Sequence, residues 1–89
     1  MTRDEAIKLI CYELDKAQEK YPTWPVDPLH AASILVEETG EVVQACLDAC
    51  YWNRISIHKA KYEAAQAGAM ALRFIMGIDE YKCNKSEQL

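Results

Sequence analysis

With 89 residues, 51% of them hydrophobic and 27% charged, the chain is long enough for one domain and too apolar for disorder. A formal net charge of -4 and the lack of any long basic run argue against a nucleic-acid polymer as partner. A lone domain of this size buries only roughly 60% of the surface of its unfolded chain, so a subunit interface is expected to complete the core.

The opening Met1-Thr2-Arg3-Asp4-Glu5 is charged and leads into no unbroken apolar run, so no signal peptide and a cytoplasmic location are expected. Cys11, Cys46, Cys50 and Cys83 form neither a CxxC pair nor a disulfide framework and read as reduced thiols. A zinc site from Cys46, Cys50 and His58 lacks the usual ligand spacing.

Thr2 followed three residues later by Glu5 is a capping box that opens a first helix running to about Lys20. Ile7, Ile10, Cys11 and Leu14 recur at helical spacing, while Lys8, Glu13, Lys16 and Glu19 take the other side, so this helix is expected to pack on one face. Tyr21-Pro22-Thr23-Trp24-Pro25-Val26-Asp27-Pro28 then breaks the pattern, because each proline pushes the residue before it away from helical dihedrals. Trp24, between two prolines, reads either as a stacking surface for a nucleobase or as a cover for the end of a bundle.

Asp27 as N-cap and Pro28 as first helical residue start a second helix reaching about Trp52. On it Ala31, Ile34, Glu38, Glu41, Ala45, Ala49 and Trp52 share one stripe, flanked by Leu35, Val42 and Cys46. Two acids one turn apart therefore interrupt an apolar face, where they repel each other unless a cation or solvent compensates. Glu37 lies about 100° away on the polar edge, and Gly40 calls for either a close approach or simple tolerance.

Tyr51-Trp52-Asn53-Arg54 ends this helix, and Ser56 is the expected N-cap of a third. His58 near this start reads as a phosphate contact or as a solvated side chain. Arg54, Lys59 and Lys61 form a small basic group that faces a triphosphate or balances nearby acids. The third helix places Glu63 and Gln66 one turn apart, and from Ala64 to Met76 only Gln66 and Arg73 are polar. So apolar and small-residue-rich a helix is expected to be buried all round, at the centre of a dimer or tetramer, and it is too short to span a bilayer. Gly77 with Ile78 reads as a glycine cap, and residues 79–89 as a polar tail: a short helix, an arm on a partner subunit or a frayed end. Strand alternation is absent, so the fold class is all-α, a single-domain helical bundle.

If the second and third helices pack antiparallel, Glu38, Glu41, Glu63 and Gln66 converge into one oxygen-rich pocket. Hard oxygen ligands suit Mg²⁺, with Mn²⁺ as the alternative, and Mg²⁺ shares its shell with substrate phosphates. Trp24 and His30 precede the acidic helix and are candidate base contacts; Lys59, Lys61 and Arg73 complete the candidate substrate-binding set.

On these residues the chain resembles the MazG-like all-α nucleoside triphosphate pyrophosphohydrolases. That family carries Glu-Glu-x-x-Glu on one helix and Glu-x-x-Asp on a later one. Glu37-Glu38-Thr39-Gly40-Glu41 matches the first motif, and Glu63-Ala64-Ala65-Gln66 matches the second except at its last position. The resemblance spans about residues 24–76 and implies Mg²⁺-dependent hydrolysis of a nucleoside triphosphate to monophosphate and pyrophosphate by a homodimer or homotetramer. It implies Glu38, Glu41 and Glu63 as metal ligands, with Glu37 assisting a second ion or the attacking water. Gln66 in place of the family's Asp keeps a carbonyl ligand but removes one negative charge. Two alternatives stand beside this reading: a nucleotide-binding regulator without turnover, and an oligomeric helical scaffold.

Overall fold

A computed structural model describes residues 1–83. Three helices account for most of them: α1 (Arg3–Lys20), α2 (Pro28–Cys50) and α3 (Ala60–Met76), the last entered through a 3₁₀ turn at Ile57–Lys59. The described residues form no strand, as expected of an all-α chain.

Local chemistry sets each boundary. The Thr2 hydroxyl accepts from Glu5 N–H at 3.1 Å while the Glu5 carboxylate accepts from Thr2 N–H at 3.0 Å, which closes the capping box of α1. The Asp27 carboxylate accepts from Leu29 N–H at 2.9 Å, and Pro28 occupies the first position of α2, where a missing N–H costs nothing. α2 stops at Cys50 rather than Trp52: Asn53 takes a left-handed φ of 51°, a conformation asparagine tolerates better than most residues. Trp52 thus leaves the stripe and lies exposed in the connection. Ser56 caps the 3₁₀ turn, not α3 itself.

α3 is the middle element. It packs against both α1 and α2, whose backbones do not approach one another. Ile10 meets Gly68, Leu14 packs with Ala69 and Met70, and Tyr21 lies beside Arg73, so α1 runs in the same direction as α3. α2 runs the opposite way and brings Glu38 alongside Glu63.

Within the chain, the small residues of α3 admit its two neighbouring helices. Ile10 would stand only 3.1 Å from a Cβ at position 68, and the buried positions Ala65, Ala67 and Ala69 likewise admit close neighbours. The core is correspondingly thin, built on Leu14, Ala69 and Met70 with half-buried Ile10, Ile34, Leu35, Leu72 and Trp24 against it.

The loop between α1 and α2 is fastened to the far end of α3. Trp24 Nε1–H donates to Tyr81 Oη at 2.9 Å, Tyr81 Oη–H donates to the Phe74 carbonyl at 2.9 Å, and Lys82 N–H donates to the Val26 carbonyl at 2.8 Å. Gly77 caps α3 with φ at -89°, outside the left-handed region. What selects glycine there is space: a Cβ would lie 3.3 Å from both Trp24 and Tyr81. The first part of the polar tail is therefore folded back onto Trp24; residues 84–89 lie outside the described range.

Candidate metal and nucleotide site

Glu38, Glu41 and Glu63 each present a carboxylate oxygen within 4.8 Å of the others. Helical periodicity places Glu38 and Glu41 on successive turns of α2, and the antiparallel pairing with α3 supplies Glu63. Glu38 Oε2 and Glu63 Oε2 are buried and have no hydrogen-bond partner. A buried carboxylate oxygen without a donor is costly, and hydrogen-bond donors or a cation normally compensate it. The ion pair among the described residues is elsewhere, between Lys16 and Glu13 at 3.3 Å.

Electrostatics follow from this crowding. Burial pushes the Glu38 carboxyl above its ordinary value of 4.5, and the charges of Glu41, Glu63 and Glu37 push it further. Glu63 is raised in the same direction, first by burial, then by contact with and charge from Glu41, then by Glu13. All three donors are hard oxygens, and crowding of like charge favours a divalent cation.

Glu38 also opens onto a groove of about 820 Å³ between α1 and α2, floored by α3. Trp24, His30 and Arg73 line this groove, as does Gln66. Lys59 and Lys61 do not: Lys59 is exposed at the end of the 3₁₀ turn, and the Lys61 ammonium lies 5.1 Å from the centre of the Tyr62 ring. Glu37 is exposed on α2, outside the carboxylate cluster. The groove is lined instead by Lys16 and Lys20 from α1, the first paired with Glu13.

Arg73 is held differently. Only 6% exposed, it donates from Nη2 to the carbonyls of Tyr21 and, at 3.3 Å, Thr23, while its guanidinium carbon lies 4.9 Å from the centre of the Trp24 ring. Burial lowers its pKa, and these contacts fix the loop over the end of the groove. Trp24 packs against the core at the end of the bundle and also lines the groove.

Glu13 is the residue that sequence periodicity misplaced. Assigned to the polar side of α1, it is 6% exposed, lines the groove and acts on Glu63 through its charge. The signal available was its position one residue from Leu14, at the edge of the apolar face. Ile7 and Cys11, placed on the packed face by the same reading, are exposed, while Ala6, Leu9, Ile10 and Ala17 are half-buried, so the buried face of α1 is turned toward Glu13 rather than centred on the expected stripe.

The chain matches no family model, no curated protein and no solved structure. Among the described residues no helix is long and apolar enough to cross a membrane.

Proposed function

We propose that the protein is a Mg²⁺-dependent nucleoside triphosphate pyrophosphohydrolase, built as a MazG-like homodimer or homotetramer. The observation that carries this reading is the convergence of Glu38, Glu41 and Glu63, with two buried oxygens lacking partners, where Glu38 also lines a groove that holds an aromatic ring and cations. Glu38, Glu41 and Glu63 would hold the ion, with Mn²⁺ as an acceptable substitute, and Gln66, which lines the same groove as Glu38, would offer it a carbonyl oxygen. When bound, such an ion offsets phosphate charge and polarises a phosphate oxygen.

The chain's own residues supply the rest. Lys16 and Lys20 stand on α1 where they can meet a polyphosphate, trading their present neighbours for phosphate oxygens. Trp24 and His30 offer an aromatic wall and a ring nitrogen for a base, and Arg73 keeps the Trp24 ring in place. Glu37, exposed one position before Glu38, is available to accept a proton from an attacking water. Gln66, where the resembling family has an acid, specifically favours a second reading in which nucleotide binds without turnover.

Incubation of the purified protein with Mg²⁺ and a panel of canonical and modified nucleoside triphosphates tests both. Monophosphate and pyrophosphate as products support hydrolysis; metal-dependent binding without products supports the regulator; neither result leaves the helical scaffold. Activity that survives Glu38→Gln would remove the carboxylate cluster from the reaction.

A further inference from the structure

α2 is apolar on two opposite faces. One, through Ala31, Leu35 and Ala45, packs on α3; the other carries Leu29, Ser33, Val36, Gly40, Val43, Leu47 and Cys50, spaced four, three, four, three, four and three residues apart. That alternation is the heptad rhythm of a helix that lies along another helix. Among the described residues nothing covers it: Leu29 is 74% exposed, Val36 66%, Val43 61% and Leu47 38%. The space beyond Gly40 is also open, since a Cβ there would meet nothing within 4 Å. The seam carries no charged residue and runs about 32 Å along the helix.

The surface of the whole chain points to how much must be covered. A folded 10.1 kDa chain is expected to expose roughly 5,300 Å², whereas this one exposes 6921 Å². If residues 84–89 are credited with roughly 1,000 Å² and the described residues alone are held to the roughly 5,000 Å² expected of a folded chain of their mass, about 900 Å² of excess remains. A stable interface removes about 800 Å² per partner.

We propose that this face of α2 is the contact between two copies of the chain, packed antiparallel about a two-fold axis. The occupant is a second copy because the seam complements itself: an antiparallel copy sets Val36 over the partner's Gly40, Val43 over the partner's Ser33, and Leu29 beside the partner's Leu47. Every such contact recurs by symmetry, as a two-fold interface requires. Gly40 thereby acquires a role that the isolated chain does not give it, as the gap into which a valine of the partner fits. The seam lies opposite Glu38 on α2, so the interface leaves the groove between α1 and α2 open.

This inference deepens the oligomeric part of the proposed function but is read without metal or nucleotide, so each can fail alone. Sedimentation velocity of the full chain at micromolar concentration is expected to give twice the chain mass, and Val36→Glu with Val43→Glu is expected to give the single mass with helical circular dichroism retained. Should that variant fail to fold, Val36→Ala with Val43→Ala removes bulk without adding charge and is expected to weaken dimerisation at least about tenfold. The pair Leu29→Cys with Leu47→Cys is expected to form an intermolecular 29–47 disulfide, mapped by peptide mass spectrometry. A monomeric native chain, a dimer indifferent to both valine substitutions, or a dimer that never forms the 29–47 bridge overturns the proposal.

Discussion

Glu38 on α2 and Glu63 on α3 reach carboxylate oxygens within 4.8 Å of each other, and each keeps one buried oxygen without a donor. The arrangement stores repulsion that a divalent cation relieves. Titration calorimetry is therefore expected to detect Mg²⁺ or Mn²⁺ binding without nucleotide, and Glu38→Gln or Glu63→Gln to weaken it about tenfold or more. Thermal unfolding should agree: the cation raises the midpoint of the native chain and leaves the variants unmoved. Equal binding by native protein and both variants would place the ion elsewhere.

The raised carboxyls at Glu38 and Glu63 set the sign of a pH effect in metal-free protein. Their folded values lie above the ordinary 4.5, so between 4.5 and those values the folded chain binds more protons than the unfolded one. Stability is then fully present below 4.5, falls as pH rises through this window, and levels off above it. Glu5 works in the opposite direction and lower, because its bonds to the Thr2 backbone and hydroxyl hold it below 4.5; its contribution is lost as pH falls. Urea unfolding at a series of pH values is expected to show the decline, and Glu13→Gln to make it shallower by removing one charge that acts on Glu63. Saturating Mg²⁺ should abolish it.

Arg73 is fixed by geometry as much as by charge. Replacing it with Met leaves the carbonyls of Tyr21 and Thr23 without their donor and removes the cation over Trp24, a loss of about 2 kcal/mol in chemical denaturation. Arg73→Lys is expected to recover little, because one ammonium cannot reach two carbonyls and lie across the ring together. Trp24 fluorescence should shift in both variants as its surroundings open.

Two glycines are expected to respond differently to alanine. At Gly77 the new methyl would meet Trp24 and Tyr81 at 3.3 Å, and both rings are tied by 2.9 Å hydrogen bonds, so Gly77→Ala should cost about 1 kcal/mol. At Gly68 the nearest atom, 3.1 Å away, is the movable end of Ile10, and the gain of about 1 kcal/mol in helix propensity offsets the adjustment. Thermal melts of the two variants measured side by side check the contrast.

Local signals were the most legible part of the chain. Thr2 with Glu5 and Asp27 with Pro28 fix helix starts through contacts within three residues, and they stand in the fold as read. The spacing of Glu38 and Glu41, and their approach to Glu63, were likewise accessible, because helical period and antiparallel pairing leave few other arrangements. What depended on the third dimension was not. Glu13 is buried because the face of α1 that packs is turned away from Ile7 and Cys11, both exposed, and toward Leu9, Ile10 and Glu13, and Lys16 and Lys20 stand along the groove where Lys59 and Lys61 do not because α1, though distant in sequence from the acids, forms its wall. Gly77 resembled a left-handed cap, yet its need for glycine arises from Trp24, more than fifty residues earlier. Nothing in a period of 3.6 reports such a meeting.

That the backbones of α1 and α2 approach α3 but not each other also bears on the order in which the chain acquires its shape. In an ordinary helical hairpin the first two helices pair as soon as both exist, and the third adds to a partner already formed. Here the first two have no mutual backbone docking, so a fragment ending before Ala60 has nothing to consolidate it. The rate-limiting barrier to folding must contain part of α3, and substitutions at Ala65 or Ala69 should slow folding, where those on the outer face of α1 chiefly hasten unfolding.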